Sequence, residues 1–192
     1  VITMEKQIDF YFDVASPYSY VASKLIEDVA QRSNAKLHWK PILLGGVFKA
    51  VGTQSAPGLT PEKKPYMLKD LQRLAEFYKF SLNMPPVFPI RTVLAMRVLS
   101  GLTQENIPTA AHSLFNAYWD ENLDIADPEV VASLVGQDAV EQAGMHDIKQ
   151  ALFQTTEEAV KRGTFGAPTF FVGDEMFFGH DRMHLLEQYL RN

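Results

Sequence analysis

Apolar positions change their period several times along the 192-residue chain, and each change marks an element. Ile8 to Phe12 is a short aromatic-rich run of the kind that fits a buried strand. Ser16-Pro17 follows, a capping residue and then a residue suited to the first helical position. Val21, Leu25 and Val29 recur at every fourth position, which predicts one helix reaching to about Arg32, with Asn34 as its stop. Lys36 to Lys40 alternates, with Leu37 and Trp39 on one face, and Pro41 ends the run. Strand, helix and strand within about 35 residues predict a parallel pair.

Leu44 to Pro61 is rich in Gly, Pro, Ser and Thr and reads as a long loop, a length often tied to function. Thr60-Pro61 repeats the capping signature, and Tyr66, Leu71, Leu74 and Tyr78 then carry helical periodicity. Met84 to Pro89 breaks the chain. Further helices are expected at about 91–102, 104–119, 128–135, 138–153 and 155–162, the last ending at Gly163. Asp127-Pro128 is another cap and proline, and Asp138 with Glu141 fits a capping box. Thr169 to Val172 and Met176 to Phe178, joined through Gly173-Asp174-Glu175, read as a hairpin. Gly179 and Asp181, the latter as cap, then precede a closing amphipathic helix with Leu185, Leu186 and Tyr189. The ends are α/β and the middle is all-α. Setting the middle aside leaves β-α-β-β-α, the order of a thioredoxin fold. The expected organisation is a discontinuous thioredoxin-like domain, residues 1–62 and 163–192, with an inserted helical domain over 63–162.

Composition narrows the function. The 46% hydrophobic and 21% charged residues suit a soluble globular chain. There is no cysteine, which excludes disulfides, thiolate metal sites and a protein-borne thiol nucleophile. A net charge of −5 argues against nucleic acid as a partner. No run approaches the roughly 18 apolar residues of a membrane helix, and the first ten residues lack a signal-peptide core. No membrane partner and a cytoplasmic location are therefore expected, with Met4 as the native start.

Two stretches bear on chemistry. Ser16 opens a helix where redox proteins of this fold carry the first cysteine of Cys-x-x-Cys. The slot here reads Ser16-Pro17-Tyr18-Ser19. Its hydroxyl either caps the helix or, beyond that, donates a hydrogen bond to a thiolate brought by another molecule. Gly166-Ala167-Pro168-Thr169 precedes the third strand. It is either an ordinary turn or a cis-proline that leaves the Ala167 backbone to pair with an extended peptide.

The segments Phe10 to Tyr20, Pro41 to Lys49, Gly166 to Phe170 and Met176 to Met183 together resemble the kappa-class glutathione transferases and 2-hydroxychromene-2-carboxylate isomerases. The likeness spans nearly the whole chain. It implies glutathione bound between a thioredoxin domain and a helical insertion, in a homodimer. It implies that Ser16 meets the glutathione sulfur and that Ala167, before cis-Pro168, pairs with the cysteinyl backbone. His180 and Asp181 would meet the γ-glutamyl end. Lys63 or Lys64 would contact the glycyl carboxylate, the Lys63-x-x-Tyr66 spacing favouring Lys63. The chain departs from the pattern at Thr53 and at Arg91, where the family leads one to expect Asn. Arg91 is a candidate clamp for a substrate carboxylate.

The resemblance thus implies a glutathione-dependent isomerase acting on a small aromatic carboxylate, interconverting 2-hydroxychromene-2-carboxylate and trans-o-hydroxybenzylidenepyruvate in naphthalene-type catabolism. The alternatives are a kappa-like transferase or peroxidase acting on electrophiles, and a glutathione- or peptide-binding protein without chemistry. His180 and His184 stand four apart, but no third ligand is apparent and no metal site is expected. Glu157-Glu158 and Asp120-Glu121 are sequence neighbours on different helix faces and make poor acid–base dyads.

Overall fold

The computed structural model describes residues 6–53 and 60–191; Met4 and most of the tip of the expected 44–61 loop lie outside the described residues. Four strands, β1 (Gln7–Phe12), β2 (Lys36–Pro41), β3 (Thr169–Val172) and β4 (Glu175–Phe178), form one mixed sheet in the order β2-β1-β3-β4. β1 runs parallel to β2, with Phe10 opposite Trp39, and antiparallel to β3, with Phe10 opposite Phe170. β3 and β4 form the expected hairpin. The chain has a thioredoxin-like fold.

The pleat of β1 sorts its side chains. Ile8, Phe10 and Phe12 point into the larger core, and Tyr11 points the other way with Ile42, Val47, Ala159 and Phe171. On the first face Phe10 stacks on Phe170 at 5.1 Å and meets Trp39 edge-on at 5.0 Å, and Phe12 reaches Phe115 at 5.8 Å. Each fully buried aromatic is worth about 1.5–3 kcal/mol of transfer free energy, before entropy is charged.

The first helix is two helices, α1 (Pro17–Ser23) and α2 (Ile26–Arg32), where one was expected. Lys24 and Leu25 N–H groups reach back three residues, to Val21 and Ala22, and Ser23 Oγ donates to the Tyr20 carbonyl at 2.7 Å. This tightened turn breaks the register without proline or glycine. Asn34 does stop α2, at φ 48°.

The start of the expected loop is instead a helix, α3 (Leu44–Val51). Gly45 and Gly46 disfavour it locally, but remote side chains cap it. Leu43 N–H donates to Thr156 Oγ1 at 3.1 Å and Leu44 N–H to Asp13 Oδ2 at 2.8 Å. Val47 is its buried residue.

The middle of the chain holds α4 (Lys63–Tyr78), α5 (Val93–Ser100), α6 (Ile107–Trp119), α7 (Pro128–Val135), α8 (Gln137–Gln142) and α9 (His146–Lys161). In α4 the buried stripe is Met67, Leu71 and Ala75, whereas Tyr66 is 64% exposed. Asp127 caps α7 through the Glu129 N–H at 2.8 Å. Asp138 makes no capping box, because α8 already begins at Gln137 with Gly136 before it. The helices expected at 138–153 and 155–162 are divided elsewhere: α8 ends at Gln142, and α9 runs unbroken to Lys161 before Gly163 turns at φ 99°. A 3₁₀ turn (His180–Arg182) leads into α10 (Met183–Arg191), which buries Met183, Leu186 and Leu190 and leaves Leu185 and Tyr189 exposed.

Candidate active site

The end of β1 builds the first wall. Ser16 N–H bonds the Asp13 carbonyl at 3.0 Å, which turns the chain, and Ser16 Oγ accepts the Ser19 N–H at 3.0 Å as the cap of α1. The same hydroxyl donates to the Ala167 carbonyl at 3.1 Å. Ala167–Pro168 is a cis peptide. Its neighbours are held too: Thr169 Oγ1 donates to the Gly166 carbonyl at 2.8 Å, and the Gly179 N–H to the Pro168 carbonyl at 2.9 Å. Two motifs some 150 positions apart thus meet through one hydrogen bond. Ser16 is 4% exposed, and its oxygen is fixed from two sides.

Ser16, Gly166 and Ala167 line a cleft of about 1190 Å³, and Pro168 is not part of its lining. Its walls are mostly apolar, with Leu43, Phe48, Met67, Phe88, Ile90 and Phe165 among them. Thr53 and Arg91 line it as well, so the two positions that depart from the family pattern share a cavity with Ser16 and Ala167. Lys63 is exposed at the start of α4 and is not part of this lining. His180 stacks flat on Tyr18, 5.2 Å between ring centres and 5° from parallel, and Tyr18 in turn lines the cleft. Asp181 does not cap α10. It lies in the 3₁₀ turn, largely exposed, and takes a bond from Arg182 Nη1 at 2.8 Å. His184 is exposed on α10.

Among the lining residues that carried no assignment from the sequence are Asp13, Lys49 and Thr92. Lys49 stands on α3, and with that stretch read as a loop its direction was hidden. Asp13 is 2% exposed. Its Oδ1 accepts the Ala15 N–H at 3.0 Å and its Oδ2 the Leu44 N–H at 2.8 Å. Burial pushes its carboxyl above the usual carboxylate range, against the pull of those donors. Burial likewise lowers His180, against the attraction of Asp181 and Asp70, and raises Tyr18. Behind the wall residue Phe88, at 5.7 Å between ring centres, Trp119 is fully buried and its Nε1–H donates to the Val14 carbonyl at 2.7 Å.

The lining offers a hydroxyl and a carbonyl, two cations, Lys49 and Arg91, and a mostly apolar surface. It has no thiol of its own.

Comparison with known proteins agrees with this fold. The DSBA-like thioredoxin domain matches residues 7–191. Glutathione S-transferase kappa 1 of Caenorhabditis elegans is 31% identical, over 96% of this chain and 91% of the relative. A 2-hydroxychromene-2-carboxylate isomerase of Sphingobium xenophagum is 32% identical, over 97% of this chain and 99% of the relative. A solved structure of a 2-hydroxychromene-2-carboxylate isomerase superposes with a TM-score of 0.85 at 28% identity, covering 96% of this chain and 94% of that one. The sheet, the cleft and the helical stretch between β2 and β3 are all inside these matches, and the chain belongs to the DSBA-like thioredoxin family, in the branch of 2-hydroxychromene-2-carboxylate isomerases and kappa-class glutathione transferases.

Proposed function

We propose that this chain is a glutathione-dependent isomerase that interconverts 2-hydroxychromene-2-carboxylate and trans-o-hydroxybenzylidenepyruvate, a step in naphthalene-type catabolism, working as a cytoplasmic homodimer. The observation that carries the reading is the Ser16 hydroxyl, fixed between the Ser19 N–H and the Ala167 carbonyl on the wall of a large cleft in a chain with no cysteine. Such a site is suited to handling a sulfur that arrives with a ligand.

The donor set fits a tripeptide thiol. Ser16 would meet its sulfur, Ala167 and Pro168 its cysteinyl backbone, His180 and Asp181 its γ-glutamyl end, and Lys63 its glycyl carboxylate, with Thr53 on the cleft wall nearby. Bound glutathione would supply a thiolate nucleophile that adds to a conjugated substrate reversibly. Ser16 needs only to rotate its O–H away from the Ala167 carbonyl to donate to sulfur, while its oxygen keeps the Ser19 N–H. A free thiol titrates near 8.5, and lowering it by about two units takes about 2.7 kcal/mol. One hydrogen bond to a charged sulfur contributes about 1.5–3 kcal/mol, so the hydroxyl alone covers much of it. Arg91 and Lys49 would hold the substrate carboxylate, and the apolar walls keep water from the reacting carbon.

The kappa relative, at 31% identity over 96% of the chain, supports a second reading, a transferase acting on electrophiles. Calorimetric titration with reduced glutathione near pH 7, followed by assays with 2-hydroxychromene-2-carboxylate and with a chloronitrobenzene, tests both. One-site binding and turnover of the chromene are expected. Binding with turnover of only the chloronitrobenzene would replace the isomerase by the transferase, and absence of binding by folded protein would overturn both.

A further inference from the structure

We propose that Asp13 is a positioning residue: its buried carboxylate sets Ser16 against another wall of the cleft, α3. Two observations carry this. The carboxylate is 2% exposed, so its bonds form in a setting where water does not compete. Its two oxygens go to different segments, Oδ1 to the Ala15 N–H one residue before Ser16, and Oδ2 to the Leu44 N–H at the first turn of α3, the helix that carries Lys49. One side chain is therefore the shared acceptor for both walls, while the Asp13 carbonyl takes the Ser16 N–H itself.

A carboxylate is required by the donor count. Every partner offers hydrogen, and both oxygens must accept. An asparagine keeps the shape and one acceptor, but its amide hydrogens would face an N–H that also donates. Asp13→Asn thus frees either Ala15 or Leu44 without opening a cavity. A reacting group displaced by about 1 Å can cost about a hundredfold in rate. What Asp13 serves rests on the glutathione reading above; that it holds the two segments does not.

Residue-resolved amide hydrogen exchange on the full chain tests the holding role without any ligand. In Asp13→Asn, exchange at Leu44 or Ala15, and with it Ser16, is expected to accelerate about tenfold or more while β1 and β2 stay protected as in the parent. Unchanged exchange at all three would overturn the proposal. Turnover tests the link to Ser16. Asp13→Asn is expected to lower kcat at least about tenfold in the parent and less than about twofold in a Ser16→Ala background. The same loss in both backgrounds would show general destabilisation and overturn it. If the parent neither binds glutathione nor turns over the chromene, the functional reading fails and exchange still decides the role of Asp13. Should Asp13→Asn not fold, exchange in the parent decides: the Leu44 and Ala15 amides are expected to be protected at least about tenfold over an unstructured peptide, and exchange at the free rate would count against the proposal.

Discussion

On the glutathione reading proposed above, the Ser16 hydroxyl has two jobs that separate on mutation. As a cap it stabilises α1, and loss of an N-cap costs about 1 kcal/mol. As a donor to sulfur it acts where charge is carried. Ser16→Ala is therefore expected to lower kcat about a hundredfold while glutathione affinity, read by calorimetry, changes less than about threefold. Equal losses in both would reduce Ser16 to a binding residue. Gly166 makes a different point. A Cβ there would lie 2.9 Å from the Phe178 ring, and Phe178 packs on Phe165 at the cleft with 4.6 Å between ring centres. Because Phe178 is 41% exposed, its ring can swing outward at little cost. Gly166→Ala is expected to raise KM for the aromatic substrate several-fold with Tm nearly unchanged; an unaltered KM would show that Phe178 does not border the substrate. His180 supplies a pH signature. Burial lowers its pKa below the ordinary 6.5. The neutral ring's contribution is thus fully present above 6.5 and lost as pH falls from there through the folded pKa. His180→Phe, which keeps a ring on Tyr18, is expected to flatten the Tm-against-pH curve below 6.5, and a parallel curve would contradict that assignment.

Elements explain which parts of this were readable in the sequence. Strands β1 to β4 were legible because alternating or aromatic runs were bounded by Asn, Pro or Gly punctuation, as at Asn34, Pro41 and Gly173. The meeting of Ser16 with Ala167 was legible only through the family likeness, since no local signal joins residues so far apart. Helix α3 was not legible. Its glycines argue for a loop, and its caps, Asp13 and Thr156, come from distant parts of the chain. The break between α1 and α2 was hidden for a related reason: it rests on the Ser23 bond to the Tyr20 carbonyl rather than on Gly or Pro. Missing α3 concealed Lys49, and missing its cap concealed Asp13. The joint between α6 and the β1–α1 turn shows how such remote bonds can be measured. Trp119 is fully buried and its Nε1–H is the partner of the Val14 carbonyl. Trp119→Phe leaves that carbonyl unsatisfied and a small void beside it, and is expected to lower stability by about 1–3 kcal/mol in urea unfolding. A loss within about 0.5 kcal/mol would mean that water or a neighbour replaces the donor.

Across the whole molecule the sheet and the helical stretch share one interior. The larger core joins Ile8, Phe10 and Phe12 of β1 to Leu71 of α4, Leu99 of α5, Leu114 and Phe115 of α6, and Leu186 of α10. Phe12 touches Phe115 directly, and Tyr20 of α1 stacks toward both Phe115 and Trp119. On the other face, α9 returns to the sheet through Ala159 and through Arg162, whose Nη1 donates to Asp9 at 2.8 Å and to the Tyr11 hydroxyl at 3.0 Å. Removing the helical stretch would strip the aromatic layer of β1 on one side and the cover of Tyr11 on the other. Neither part then keeps enough buried apolar surface to offset its own chain entropy. The cleft lies where these parts meet, so its geometry depends on both being folded. Thermal unfolding of the full chain is therefore expected to give a single transition, with calorimetric and van't Hoff enthalpies equal and with near-ultraviolet and far-ultraviolet dichroism coincident. Two resolved transitions, or loss of the helical signal before that of the buried aromatics, would show that the sheet and the helices are separate cooperative units and that the cleft can open without global unfolding.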